Sequence, residues 1–164
     1  MNTEIFEKAE QVVLFLKQNN LKIATAESCT GGMVSAYITA VSGASSVLEL
    51  GVTSYSNRIK NEILKVENQT LKDYGAISQY TAKQMAQNVK NIANADIGIS
   101  VTGAAGPDSS EGHNAGFVII ALCYKDKTIV KQLNINPKNR NYVREQAVLQ
   151  LFELIINFFK EVSQ

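Results

Sequence analysis

The sequence predicts a single α/β domain built on a mixed β-sheet. Helical and strand-like segments alternate along most of the chain, an order typical of parallel strands connected by helices. Near the end, two strand-like segments are separated only by Lys125-Asp126-Lys127, and so short a connection requires an antiparallel pair. The length of 164 residues, with 45% hydrophobic residues, suits one compact domain with a substantial core.

The first half of the chain is predicted to run helix, strand, helix, strand. Apolar residues recur on one helical face over residues 3–20, which indicates an amphipathic helix that covers the sheet. Residues 22–26 are predicted to form a short strand, and residues 33–41 a helix that begins after Gly31-Gly32. Residues 45–55 are rich in Val, Leu and Thr, and we predict the second strand there.

The second half continues the same alternation. A short helix is predicted over residues 57–64, capped by Ser56 or Asn57, and a polar turn over residues 68–70 separates it from a longer helix over residues 80–94. Residues 96–102 alternate as a strand does. Residues 116–124 are nearly all apolar, as expected of a strand buried on both faces, and residues 128–135 complete the hairpin.

The last predicted helix, residues 141–162, carries an apolar stripe that is wider than one packed face requires. Phe152, Ile156 and Phe159 lie beside the main row of apolar residues. Two interpretations are open: the helix is deeply buried within the chain, or the stripe is a self-association surface. On the second interpretation we predict a homodimer.

Charge and composition exclude several classes of function. With 16 basic and 15 acidic residues the net charge is +1, so the chain lacks the positive field typical of nucleic-acid-binding proteins. The first residues do not resemble a signal peptide and no apolar run approaches a membrane span, so we expect a cytoplasmic protein without a membrane partner. Two cysteines and one histidine build neither a disulfide framework nor a conventional zinc site, and no metal or other cofactor is expected.

Two loops of small residues follow predicted strands and are candidates for a binding crevice. Residues 28–32 open a helix, so their backbone N–H groups can hold an anion or a developing oxyanion, although an ordinary turn with a helix cap is the alternative. Residues 103–108 follow another strand, and Tyr55 ends a third. Because ligands collect at the carboxyl ends of strands in open α/β sheets, we predict that all three segments line one crevice.

Ser28 and Cys29 are rival nucleophiles in the first loop. Serine needs a base at neutral pH, and Lys60 is predicted in the first turn of the helix after Tyr55, where the helix start lowers its pKa and favours a neutral, basic amine. An exposed surface lysine is the alternative. A thiol at a helix N-terminus would also have a lowered pKa. His113, the only histidine, lies in a polar segment and is predicted to be a solvated loop residue.

Three further charged residues have open roles. Three roles are open for Glu27: it orients Lys60, it orients a substrate ribose, or it only ties down the turn. Arg140 and Arg144 lie four residues apart on one side of the last helix, where two guanidinium groups could pair with a phosphate, and a solvated or carboxylate-paired face is the alternative. The second loop lacks the Gly-Lys-Ser/Thr ending of a Walker phosphate loop, which disfavours ATPase chemistry.

Taken together, four segments closely resemble the CinA C-terminal domain family. They are residues 25–32 (TAESCTGG), residues 51–57 (GVTSYSN) with Lys60, residues 74–78 (YGAIS) and residues 102–107 (TGAAGP). The resemblance runs from about residue 5 to residue 160 and includes Arg140 and Arg144. After Pro107 the sequence departs from the family pattern, since residues 108–115 (DSSEGHNA) stand where members often have a glycine pair and a later proline.

The resemblance implies a three-layer α/β/α domain on a mixed sheet of about five strands, in the standalone amidase form. It implies a nicotinamide-nucleotide amidase, which hydrolyses the carboxamide of nicotinamide mononucleotide to nicotinate mononucleotide and ammonia. Ser28 maps onto the catalytic serine, and Tyr55 and Lys60 onto the residues that assist it. The residues expected to bind the substrate are Glu27, Cys29, Thr30, Gly31, Gly32, Thr102, Gly103, Ala104, Ala105, Gly106, Arg140 and Arg144.

Two rival functions remain open at this point. The same crevice could serve a binding module without catalysis, which senses a nucleotide or docks on a partner linked to competence. It could also belong to an amidase for another small amide. Ser28, Tyr55 and Lys60 together favour the amidase on nicotinamide mononucleotide, with backbone N–H groups of residues 30–32 as oxyanion donors and residues 103–106 or an arginine at the phosphate.

Overall fold

A computed structural model describes residues 1–162. Its strands are β1 (Ile23–Glu27), β2 (Leu48–Thr53), β3 (Ile97–Gly103), β4 (Phe117–Tyr124) and β5 (Lys127–Asn134). They form one sheet in the order β2-β1-β3-β4-β5. The strand β1 pairs in parallel with both β2 and β3, whereas β3 with β4 and β4 with β5 are antiparallel. The predicted mixed sheet and its hairpin are therefore confirmed.

The helices are α1 (Thr3–Gln18), α2 (Met33–Thr39), α3 (Asn57–Glu62), α4 (Asn68–Tyr74), α5 (Gln79–Ile92) and α6 (Arg140–Val162). The prediction of a polar turn over residues 68–70 was wrong, because α4 begins there. Thr70 is buried and its hydroxyl accepts a hydrogen bond from Gln84 Nε2 on α5 at 3.0 Å. Packing against α5 thus stabilises a helix that its polar sequence alone does not indicate.

Helices cover both faces of the sheet, as expected of a three-layer domain. On one face Ile97, Ile99 and Val101 of β3 pack in a core with α1, α2 and α6. On the other face Ala24 and Ala26 of β1 pack against α5. At Gly98 the helix α5 approaches so closely that a Cβ would lie 2.0 Å from the carbonyl oxygen of Ala86, so only glycine is accommodated.

The wide apolar stripe of α6 is explained within the chain. Phe152 and Phe159 are buried in the core, and Ile156 is partly buried against it. Burial of the terminal helix, the first of the two interpretations, accounts for these residues, and the homodimer stays a prediction. Among residues 1–162, no helix is both long enough and apolar enough to cross a membrane.

Candidate active site

Ser28 follows β1 at the edge where the parallel strands end. Its backbone N–H donates to the carbonyl oxygen of Val101 on β3 at 2.9 Å. On the other side, the N–H of Ser54, just after β2, donates to the carbonyl oxygen of Glu27 at 2.7 Å. The main chain at Ser28 is thus held between both neighbouring strands, which orients its side chain before any ligand binds.

Glu27 and Ser28 face opposite sides of the sheet, because side chains alternate along an extended chain. The buried Glu27 carboxylate accepts hydrogen bonds from the N–H groups of Gly32 and Val34 at 3.0 Å, and from the N–H and hydroxyl of Ser35 at 2.9 and 2.8 Å. It satisfies the otherwise unpaired N–H groups at the start of α2. Glu27 therefore ties down the turn, and the expectation that it contacts substrate is corrected.

Lys60 is a buried lysine with its amine at Ser28. It is 1% exposed, and its Nζ lies 3.0 Å from Ser28 Oγ and donates to the carbonyl oxygen of Ser54 at 2.7 Å. Ser56 caps α3, its hydroxyl accepting from the N–H of Ile59, and this fixes the turn from which Lys60 projects. The alternative of an exposed surface lysine is excluded by this placement.

Burial lowers the pKa of the Lys60 amine. The expectation had the right direction and the wrong cause, because burial and not the helix start is the largest influence on this pKa. Lys60 lies as predicted in the first turn of α3, where its backbone N–H donates to the carbonyl oxygen of Ser56 at 3.0 Å. A neutral amine has two N–H donors and one lone pair. With one N–H directed at the Ser54 carbonyl, the lone pair is available to the Ser28 hydroxyl, which is the arrangement of a nucleophile and its base.

Cys29 is adjacent to Ser28 in sequence and differs from it in chemistry. Burial raises the pKa of the Cys29 thiol to about 12, so the expectation of a lowered pKa at the start of a helix was wrong. The loss of hydration outweighs a backbone hydrogen bond and the nearby charges of Arg140 and Lys60, all of which act to lower this pKa. A thiol that stays protonated is a poor nucleophile, which favours Ser28 over Cys29 as the attacking group.

We therefore expect Cys29→Ala to keep most of the activity that this site supports, within about threefold of wild type, because a thiol that stays protonated attacks poorly. Alkylation by iodoacetamide should likewise be slow in the folded protein, because the thiolate is scarce at neutral pH. Initial rates and mass spectrometry check both outcomes. Rapid alkylation of Cys29 at neutral pH would contradict the assignment.

Tyr55 and Arg140 meet at the mouth of the site. Arg140 Nη2, at the start of α6, donates to the Tyr55 hydroxyl at 2.8 Å, and Nη1 donates to the carbonyl oxygen of Gly106. The Tyr55 side chain is 63% exposed, and within residues 1–162 it makes no hydrogen bond to Ser28 or Lys60. Arg140 thus connects the loop after β3 to the loop after β2.

Arg144 lies one turn further along α6 and does not line the pocket. Its Nη2 donates to the carbonyl oxygen of Thr30 at 2.8 Å, and its Nη1 to Asn141 Oδ1 at 3.1 Å. The expectation that both arginines face one phosphate is therefore corrected. Arg144 fastens the turn that carries Ser28, and Arg140 alone of the pair reaches the cavity.

The backbone N–H groups of residues 30–32 are less available than expected. The N–H of Gly31 donates to the carbonyl oxygen of Ser28 at 3.1 Å, and that of Gly32 to the Glu27 carboxylate at 3.0 Å. In the described chain, the Thr30 hydroxyl is buried without a hydrogen-bond partner. The assignment of Gly31 and Gly32 as oxyanion donors is corrected, because the turn itself uses both N–H groups.

A cavity of about 180 Å³ opens beside Ser28. Predicted residues that line it come from the ends of all three parallel strands, from α3 and from α6: Ser28, Cys29, Tyr55, Lys60, Thr102, Gly103, Ala104, Ala105, Gly106 and Arg140. Glu27, Thr30, Gly31, Gly32 and Arg144 lie outside this lining. Thr102 is almost fully buried, and its hydroxyl donates to the carbonyl oxygen of Ala76 at 2.8 Å.

Six lining residues were missed: Asn57, Ala76, Ile77, Asp108, Ser110 and Glu111. Residues 108–111 belong to the segment that departs from the family pattern, and Ala76 and Ile77 belong to the quoted YGAIS motif. The sequence signal was therefore present. The sequence does not show, however, that the segment before α5 and the segment after β3 line the same cavity.

Comparison with known proteins agrees with this architecture. The family model of the CinA C-terminal domain matches residues 6–159. Competence-damage inducible proteins of Thermoanaerobacter pseudethanolicus and Acetivibrio thermocellus are 43% identical over 150 residues and 44% identical over 163 residues, covering 91% and 99% of the chain. The chain spans only 36% and 39% of the length of these two relatives.

Solved structures give the same result for the fold. The competence/damage inducible protein of Agrobacterium tumefaciens superposes with a TM-score of 0.92 at 30% identity, with 96% of each chain covered. A CinA superfamily protein of Escherichia coli superposes with a TM-score of 0.91 at 28% identity, covering 96% of this chain and 92% of that one. The sequence match, the sheet order and the loops after β1, β2 and β3 lead to one conclusion: the chain belongs to the CinA C-terminal domain family.

Proposed function

We propose that this protein is an amidase that hydrolyses the carboxamide of nicotinamide mononucleotide, giving nicotinate mononucleotide and ammonia. The observation that carries the proposal is the contact between Ser28 Oγ and the buried Lys60 Nζ, 3.0 Å apart at the base of a cavity. A serine beside a lysine of lowered pKa is a known arrangement for acyl transfer without histidine. The only histidine, His113, does not line the cavity.

The reaction proceeds through an acyl-enzyme. Ser28 Oγ attacks the carboxamide carbon while the neutral Lys60 amine takes the hydroxyl proton. The tetrahedral intermediate collapses as the Lys60 ammonium gives its proton to the leaving nitrogen, which departs as ammonia. Water then attacks the ester carbon while Lys60 takes one of its protons, and the Lys60 ammonium returns that proton to Ser28 Oγ as the ester bond breaks. The product acid ionises to the carboxylate, and the Ser28 hydroxyl and the neutral Lys60 amine are restored.

The anionic end of the substrate requires a positive partner away from Ser28. Arg140 lines the cavity and makes no ion pair with a carboxylate of the described chain. The Arg140 guanidinium donates to Tyr55 and Gly106 and also borders the cavity. It can therefore bind a phosphate there as well, next to the loop of residues 103–106. We propose this end of the cavity as the phosphate site.

The test is ammonia release from three amides: nicotinamide, its riboside and its mononucleotide. We expect turnover of the mononucleotide, with kcat/KM at least about tenfold above that of the riboside, because only the mononucleotide carries a phosphate. In Arg140→Met this preference should fall to near unity while the rate with the riboside persists. Equal rates for all three amides in the wild type would contradict the proposed substrate.

A second candidate is a nucleotide-binding domain without catalysis that is linked to competence, since the relatives are named competence-damage inducible proteins and these names state no reaction. Calorimetry on the same three ligands separates the two. Tight binding of the mononucleotide with no ammonia release over hours would support the binding domain. Ammonia release that depends on Ser28 would exclude a binding domain without catalysis.

A further inference from the structure

The segment that departs from the family pattern, residues 108–115, folds over one side of the cavity. Ser110 and His113 exchange two backbone hydrogen bonds, of 3.0 and 2.9 Å, and Glu111 and Gly112 form the turn between them. Glu111, Ser110 and Asp108 all line the cavity. Among these residues, Glu111 makes a connection across the site.

The Glu111 carboxylate reaches the segment between α4 and α5. Its Oε2 accepts a hydrogen bond from the backbone N–H of Ile77 at 3.1 Å, and Ile77 with Ala76 borders the cavity on that side. The neighbouring Gly75 has φ +78°, and a Cβ there would lie 2.8 Å from Glu111 Oε2. The chain therefore leaves room at Gly75 for this carboxylate.

The backbone of the turn gives a second, independent reason to single out Glu111. Glu111 and Gly112 have φ values of +50° and +78°, as the two central residues of a type I′ turn require. Gly, Asn and Asp are the residues that adopt this conformation readily, whereas a longer side chain is uncommon there. The turn thus carries an unfavourable residue whose side chain makes the contact with Ile77.

Glu111 is also the charged group that opposes burial at Lys60. The titratable and charged residues that border the cavity with Lys60 are Glu111 and Asp108 on the loop, Cys29 and Tyr55 after the strands, and Arg140 on α6. Burial lowers the pKa of Lys60, and the charge of Glu111 acts against this by raising it. Cys29 acts in the same direction as Glu111 and less strongly.

We infer that Glu111 is a positioning residue of this site, which joins the 108–115 loop to Ile77 as one wall of the cavity and places a negative charge opposite Lys60. The inference rests on the proposed amidase function for its kinetic consequences. Its electrostatic consequence concerns Lys60 alone and is measurable without any substrate.

The test compares two variants that separate the charge from the reach of the side chain. Glu111→Gln keeps the length and an oxygen that accepts from the Ile77 N–H, and removes the charge. Since Lys60 must be neutral to act, we expect the acid limb of the kcat/KM profile to move to lower pH, by about half a pH unit or more. Glu111→Asp keeps the charge but is one methylene shorter, and should mainly raise KM, by about threefold or more.

A substrate-free measurement makes the inference independent of the activity. Lys60 is titrated by NMR in protein carrying ¹³C-labelled lysine, with its signal assigned through Lys60→Arg. We expect the midpoint to fall in Glu111→Gln and to stay unchanged in Asp108→Asn, a matched charge removal on the same loop. An unchanged or higher midpoint in Glu111→Gln would overturn the inference. If the wild type releases no ammonia while the midpoint falls, the proposed function fails and the placement of Glu111 opposite Lys60 stands.

Discussion

Ser28→Ala is expected to reduce ammonia release from nicotinamide mononucleotide by about a thousandfold or more, with little change in substrate affinity. Loss of the attacking group in a nucleophile and base pair has effects of this size in other hydrolases. The substitution removes only one oxygen, and the backbone hydrogen bonds of Ser28 to Val101 and of Ser54 to Glu27 do not depend on it. The fold should therefore be kept, and the rate loss is read from initial velocities at saturating substrate.

The matched control for Ser28→Ala is Cys29→Ala in the adjacent position. Both variants remove one heavy atom from the same turn, so a loss caused by disturbance of the turn would appear in both. Thermal unfolding and calorimetric binding of the mononucleotide establish that each variant is folded. Activity that survives in Ser28→Ala and disappears in Cys29→Ala would overturn the assignment of the nucleophile.

Lys60→Met is expected to cause a loss of the same order, because a serine hydroxyl without a base is a weak nucleophile at neutral pH. Methionine preserves most of the buried volume and leaves the Ser54 carbonyl oxygen without its donor. The Ser28→Ala, Lys60→Met double variant should be no slower than either single variant, because the two residues act as a unit. If the loss of rate in the double variant equalled the product of the two single losses, the two residues would act separately.

The pH dependence provides the complementary measurement on Lys60. Its pKa lies below the ordinary lysine value because burial penalises the ammonium form. Only the neutral amine accepts the Ser28 proton, so kcat/KM should rise as the pH increases through the lowered pKa and then level off. In Lys60→Arg the rate should be low at every pH, since a guanidinium stays protonated. A profile without an acid limb in the wild type would contradict Lys60 as the base.

Local patterns were sufficient for most of the fold. The apolar run of residues 116–124 predicted a strand buried on both faces, and β4 is buried along nearly its whole length. The short connection predicted at residues 125–127 required an antiparallel hairpin, as found, and the observed turn is only two residues long because β5 begins at Lys127. One exception is α4, whose Thr70 and Leu71 are held by contacts with α5 and with the core beside it, and such distant contacts are not visible in a short polar segment.

The candidate site was only partly predictable from residue types. Ser28, Tyr55 and Lys60 were identified by their motif, and the structure places Ser28 and Lys60 in contact. The sequence analysis assigned the wrong cause to the lowered Lys60 pKa and the wrong direction to the pKa shift of Cys29. It also missed that Arg140 and Arg144 have separate roles. Each depends on burial or on a partner more than thirty residues away, and neither is visible in a local pattern.

By itself, the sequence determined that this protein is a mixed α/β domain of the CinA type with a serine, a lysine and small-residue loops at strand ends. Only the tertiary structure decided that Glu27 caps α2, that Lys60 lies buried at Ser28, and that Glu111 joins the loop after β3 to Ile77. The physical reason is that periodicity and turn chemistry act between neighbours in sequence. Hydration, charge and hydrogen bonding at a site depend on which distant segments the sheet brings together.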